Sequence, residues 1–289
     1  MTAIWIVSLK TSLDSDYVDQ PVADRKGHYA VAVAWADMRS GLLLSQLWLT
    51  LGWNDILQRY RRSILGPFWL TASTAVMVIA LGVLYAQLFK TPVNDLLPYL
   101  CVGLLIWNLL SSFLTEGGVL FTGSESYIKQ IKLPYSVYIY RSAWSRLIIF
   151  AHNFVIYFGV MIYFGIWPGF VALLAIPGFA LVMINGALAN LSIGIISARY
   201  RDVPPLINSV VQIIFFVTPI FWKPELLKSK SFIADLNPIF HLIEIVRTPL
   251  LGGLPSANNY LAVALITLVN LTITGALFAR FRSRISFWV

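Results

Sequence analysis

The sequence predicts an all-α membrane protein: six transmembrane helices, an N-terminal amphipathic interfacial helix, and short re-entrant or external helices between spans five and six. Three observations carry this. Of 289 residues only 12% are charged while 58% are hydrophobic, and mean hydropathy is +0.76. Soluble domains hold roughly 25% charged residues, so there is too little charge here to cover a water-soluble body, and a soluble enzyme is excluded. Apolar stretches of about 20 residues, the length that crosses a bilayer, recur along the chain. Basic residues gather just outside those stretches.

The spans fall at Phe68–Phe89, 96–114, 147–167, 170–196, 206–222 and 260–278. The fourth is long enough to tilt, and the fifth is short and bracketed by Pro204, Pro205 and Pro224. They define a transmembrane domain over 68–289, preceded by interfacial helices over 31–67 and a polar segment over 1–30. A further apolar stretch, 30–51, carries Asp37 and Arg39. Each costs about 2.5–3.5 kcal/mol at a helix centre, and the uncharged remainder, 42–51, is too short to cross, so this stretch is read as interfacial.

With six spans, the 21 Lys and Arg divide 16 to 5 between the two sides, the larger share falling on residues 1–67, 115–146, 197–205 and the tail from 279. The positive-inside bias therefore predicts a multi-pass protein with both termini in the cytoplasm. The net charge of +8 is a membrane-flank signal rather than a nucleic-acid footprint. Cys101 is the one cysteine, so no intramolecular disulfide and no cysteine metal cluster can form. The start has no secretory signal pattern.

Between the spans, 53–65 reads as an amphipathic helix. Trp53, Ile56, Leu57, Tyr60 and Ile64 share one face, and Asp55, Gln58, Arg59 and Arg62 occupy the other. Such a helix lies along the membrane, arginines toward anionic headgroups, with Gly66-Pro67 allowing the turn into span one. In the connection after span two, Phe121, Tyr127, Ile128, Ile131 and Leu133 form an apolar face among Lys129, Gln130 and Lys132. This marks either a docking element for a partner or a helix resting on the membrane. Between spans five and six, 236–250 is apolar yet carries His241, Glu244 and Arg247 at steps of three. Fifteen residues do not cross as a straight span, so a re-entrant or interfacial pair is expected, its polar stripe toward water or a cavity. Glu244 and Arg247 are spaced to pair.

The search for chemistry returns no catalytic, cofactor or metal site. There is no phosphate-binding G-x-x-x-x-G-K-[ST] and no Gly-Lys dipeptide, no H-E-x-x-H and no nucleophile elbow. His28, His152 and His241 are far apart, and His152 in span three reads as a packing residue. The predicted spans hold no carboxylate relay, which argues against ion coupling and places any energy source elsewhere. The 10 Trp, 13 Tyr and 18 Phe suit interfacial belts. Some also suit a passage whose aromatic faces stack on sugar rings, namely Tyr85 in span one and Phe215, Phe216, Phe221 and Trp222 in span five. Asn208 and Gln212, one turn apart in span five, either face that passage or knit helices together. Span four, with Gly178, Ala180, Gly186, Ala187, Ala189, Ser192 and Gly194, is built for close packing.

Four segments in order resemble the permease subunit of type 2 ATP-binding-cassette (ABC) exporters of polysaccharides, the Wzm-like group for O-antigen and capsule. They are Arg59-Tyr-Arg-Arg-Ser-Ile-Leu-Gly-Pro-Phe-Trp69, Ile128-Lys-Gln-Ile-Lys-Leu-Pro134, Ala198-Arg-Tyr-Arg-Asp-Val203, and Leu236-Asn-Pro-Ile-Phe-His241 with Arg247 and Leu250-Leu-Gly252. The likeness runs from about residue 50 to the end and carries nothing onto the first 30 residues. It implies a homodimer in the cell inner membrane, forming one passage and docking two ABC ATPase subunits that hold ATP and Mg. The cargo it implies is a lipid-linked glycan moved from the cytoplasmic to the outer side. By the same resemblance, Trp53, Arg59, Arg61 and Arg62 sit on the interfacial gate helix near the lipid headgroup. Phe121, Tyr127, Ile128, Lys129, Ile131 and Lys132 belong to the coupling helix. Tyr85, Asn208, Gln212, Phe215, Phe216, Phe221 and Trp222 line the channel, and His241, Glu244 and Arg247 belong to the outer gate. Related exporters of teichoic acid or a drug, and a membrane structural protein without an ATPase partner, are the alternative readings.

Overall fold

The computed structural model describes residues 27–61, 68–225 and 232–289. Among these, every regular element is a helix. In chain order they are α1 (Gly27–Leu43), α2 (Ser45–Tyr60), α3 (Phe68–Phe89), α4 (Val93–Gly117), α5 (Glu125–Gln130), α6 (Ser136–Phe164), α7 (Ala175–Arg199), α8 (Val203–Val217), α9 (Phe232–Asp235), α10 (Pro238–Leu250), α11 (Ala257–Phe281) and α12 (Ile285–Trp288), with single 3-10 turns between some of them.

Five helical segments are long and apolar enough to cross a membrane: α3, α4, α6, α7 with the 3-10 turn before it, and α11 with its C-terminal extension. The fifth predicted span differs. Helix α8 has 15 residues, about 22 Å at 1.5 Å per residue, against a hydrocarbon core of about 30 Å. Pro204 and Pro205 start it, where their missing N–H groups cost nothing. It stops at Thr218, whose hydroxyl turns back to the Ile214 carbonyl at 2.7 Å, and residues 218–222 form a bend. Third among the spans, α6 begins at Ser136 rather than near 147, because Arg141 and Arg146 lie on the helix with paired charges.

The bundle is organised around α4. Of its apolar window 78% is buried, against 17% for α3 and for the last span. Helices α3, α6, α7, α8 and α10 all pack against α4. Hydrophobic exclusion does not drive helices together in lipid, so close backbone approach and interhelical hydrogen bonds must do so. Helix α7 supplies both. A Cβ on Gly178 would stand 2.6 Å from the Ile245 carbonyl oxygen, and one on Gly186 would overlap the Phe113 ring. The Asn185 amide donates to Thr267 Oγ1 at 2.7 Å, Asn190 to the Phe113 carbonyl at 2.8 Å, and Ser192 shares a bond with Thr274 at 2.7 Å. Gly178, Gly186, Gly194 and Ser192 of span four are thus used within the subunit.

Stretch 30–51 is divided at Leu44 into two helices. Asp37, on α1, is fully buried. Its carboxylate accepts from the backbone N–H groups of Tyr135 and Ser136, at 3.1 and 3.0 Å, and pairs with Arg282 at 2.6 Å. It satisfies donors that a helix N-terminus leaves free. The charge that argues against a span is a cap for α6 that also ties in the end of α11.

Candidate functional site

One end of the bundle carries α1, α2, α5 and the C-terminal turns, with most of the described basic residues; the other carries the 165–168 turn, the 218–222 bend and α10. At the basic end, α2 lies against the first turns of α6, its close approach set by Gly52, where a Cβ would meet Trp144 at 2.9 Å and the Arg141 carbonyl at 3.0 Å. The helix expected over 53–65 begins at Ser45, eight residues earlier, and runs to Tyr60; residues 62–65 of that expectation lie outside the described residues. Ile56 packs inward, while Trp53 and Leu57 remain half exposed, an apolar pair available to a membrane surface. The polar face does not point only to headgroups. Asp55 takes a two-pronged contact from Arg141, with Nε at 2.6 Å from Oδ2, and Arg59 reaches Glu116 at 3.0 Å. Glu116 is also met by Arg146, whose side chain is almost completely buried. Arg61 is exposed, and Arg62, Ile64 and Gly66-Pro67 lie outside the described residues.

The connection after α4 is shorter than expected, because helix covers both of its flanks. It holds a 3-10 turn at Thr122–Ser124 and the six-residue α5. Tyr127, Lys129, Ile131 and Lys132 are exposed and Ile128 is half-buried. Phe121 departs from the expected docking face. It is buried, with its ring edge-on to Tyr135 and Tyr138 at 5.9 and 6.4 Å, and so fastens the segment to the bundle. Lys129 sits 2.6 Å from Glu125 and holds that carboxyl below its usual range.

On α8 only Val211 is buried. Asn208, Gln212 and Phe216, at steps of four, are all exposed, one polar-aromatic strip on an otherwise apolar helix. Phe215 is half-buried against Trp107 at 5.5 Å. Phe221 is buried, stacked on Tyr85 at 4.6 Å, and Trp222 is half-buried. Tyr85 and Phe221 therefore close the seam between α3 and the 218–222 bend within one subunit, rather than lying open as the passage reading expects.

At the far end, His241, Glu244 and Arg247, expected to face water or a cavity, point into the bundle, because α10 is almost wholly inside it. His241 is held between Asn259 Oδ1 and the Asp235 carbonyl, both at 2.8 Å; the carbonyl fixes Nε2 as a donor. Arg247 has no exposed surface. It pairs with Glu244, donates to the Pro219 carbonyl at 3.0 Å, and lies 3.6 Å over the Tyr99 ring. Glu244 also accepts from Thr248 at 2.6 Å. Removing water from these charges requires such saturation. Gly103 makes room, since a Cβ there would stand 2.9 Å from the guanidinium. Arg247 joins α10, α4 and the bend that ends α8. His152 bonds the Ile148 carbonyl of its own helix at 2.8 Å, as a packing residue does.

Asp37 and Arg146 had no local signal, since a charge alone says nothing of its partner. Among the described residues no cluster of three metal-ligating side chains occurs.

Comparison with known proteins fits this arrangement. The family described as ABC-2 type transporter matches residues 46–251, from α2 to the end of α10. The O-antigen export system permease protein RfbA of Klebsiella pneumoniae is 21% identical over 227 residues, covering 77% of this chain and 86% of that protein.

Proposed function

We propose, for a chain that belongs to the ABC-2 type transporter family, that it is the membrane permease subunit of an ATP-driven exporter of lipid-linked polysaccharide, of O-antigen or capsule type, working as a homodimer in the inner membrane. Membership makes it a multi-pass transport subunit rather than an enzyme, and the O-antigen permease likeness supports the cargo. Two ABC ATPase subunits, holding ATP and Mg, dock on the exposed Tyr127, Lys129, Ile131 and Lys132 at the basic end, which faces the cytoplasm with both termini. ATP-driven closure of those subunits pushes the coupling segment, and the helices shift as semi-rigid bodies. Arg61 and Arg62, with Arg59, draw in the pyrophosphate of the lipid carrier.

The observation that carries this reading is α8. A helix with two exposed amides facing lipid would leave them unsatisfied. The same helix opposed by its copy encloses a passage with hydrogen-bonding amides and the Phe216 ring for sugar faces.

The test is Asn208→Leu with Gln212→Leu. Export by the assembled complex should fall at least tenfold while dimer and ATPase assembly persist. The double charge reversal of Arg61 and Arg62 to Glu should also reduce export with assembly intact. Wild-type export from both variants, or ATP hydrolysis by this chain alone, would defeat the reading.

A further inference from the structure

We propose that the open cavity between α2, the 118–124 turn and the first turns of α6 is a binding site for a phosphate group. Its volume is about 480 Å³, within the range of small-molecule sites and far above the ~15 Å³ that one water requires. Asp55, Arg59, Glu116, Tyr138, Arg141 and Arg146 line it. Three guanidinium groups thus face two carboxylates, leaving one positive charge uncompensated.

The hydrogen bonds are out of balance in the same sense. Arg59 and Arg146 share the single carboxylate of Glu116, while Arg141 is committed to Asp55. Two buried donors on lining residues have no partner among the described residues: Arg146 Nε and the Tyr138 hydroxyl, on residues 5% and 2% exposed. An unmet buried donor costs about 1–3 kcal/mol, and natural sites rarely keep two together without use. A phosphate supplies what is missing: negative charge and several acceptor oxygens, in the geometry a guanidinium fork engages with two bonds. Because Glu116 lies in the last turn of α4 and Arg146 in the third turn of α6, the cavity sits near the basic end of both spans, where a headgroup layer meets them. The phosphate is therefore that of a lipid headgroup or a soluble anion.

This rests on the proposed function and deepens it at one point, adding Arg141 and Arg146 of the cavity to the surface arginines that meet a phosphate. Its test reads binding on the purified full-length chain, so it stands apart from any failure of export. Two arms separate the sources: inorganic phosphate titrated onto the chain in phosphatidylcholine nanodiscs, and nanodiscs doped with phosphatidic acid, each read as saturable binding and thermal stabilisation. Saturation near one phosphate per chain in either arm supports the site, and the arm that responds names the source.

Tyr138→Phe removes an unpartnered hydroxyl, so it should leave the phosphate-free protein at least as stable as before and weaken binding roughly tenfold. Arg146→Lys keeps the charge on Glu116 but loses Nε, and should weaken binding at least as much. No saturable binding in either arm, or binding indifferent to both substitutions, overturns the proposal.

Discussion

Arg247 and Arg146 are both buried arginines paired with a glutamate, at opposite ends of one bundle, and they do different work. Around Arg247 everything is matched: Glu244, the Pro219 carbonyl, the Tyr99 face, and a glycine that makes room. Around Arg146 the carboxylate is shared with a second arginine, Nε has no partner among the described residues, and the neighbouring space is open. A saturated buried ion pair is a fastener, because any displacement exposes an unmet charge to a low dielectric. An unsaturated one beside a cavity is ready to change partners. The far end of the bundle is fixed to the bend that ends α8, and the basic end keeps an ion pair with room to rearrange.

The largest expected effect breaks the fastener. Arg247→Met leaves Glu244 buried without its cation and frees the Pro219 carbonyl, and should cost about 3–5 kcal/mol in unfolding of the detergent-solubilised protein. A cost below 1 kcal/mol would place Arg247 in the same class as Arg146. Next comes Asp37→Ala, which removes the acceptor of two backbone N–H groups and the partner of Arg282. It should destabilise by about 2–3 kcal/mol and speed amide exchange at Tyr135 and Ser136, seen by hydrogen–deuterium exchange. Glu116→Gln sharpens the contrast. Its side chain is about one-third exposed and the amide still offers Arg59 and buried Arg146 an acceptor, so the loss should be smaller than that for Arg247→Met in the same assay. Lys129→Ala sets the floor. The Glu125 pair is fully in solvent, so the melting temperature should not move, while the Glu125 carboxyl should titrate at higher pH once its cation is gone. Proton uptake by that group would then begin at a higher pH as the solution is acidified.

How much was legible in the chain varies by residue. Phe68–Phe89 was bounded to the residue, because an uncharged run between Pro67 and Lys90 leaves no choice. The start of α6 was missed by eleven residues, because Arg141 and Arg146 read as loop charges until their acids on α2 and α4 come into view. Glu244 and Arg247 were rightly paired, since three residues apart on a helix is a local relation. Their surroundings were not legible, because which face of α10 meets the bundle depends on α4 and α7. Tyr85 and Phe221 were rightly singled out as aromatic, yet only the return of the 218–222 bend onto α3 stacks them.

By itself the sequence determined the solvent the protein lives in, the apolar segments, the sidedness of its basic residues and the likeness of four motifs to a transporter family. These depend on composition and on neighbours along the chain. The tertiary structure alone decided that α4 is the centre although its mean hydropathy of 1.7 is lower than the 1.9 of peripheral α3, and which arginine is locked and which is poised. In lipid an apolar helix is equally well solvated inside or outside the bundle, so hydropathy cannot rank them. Close approach at glycines and the pairing of distant charges do, and both exist only once the helices have met.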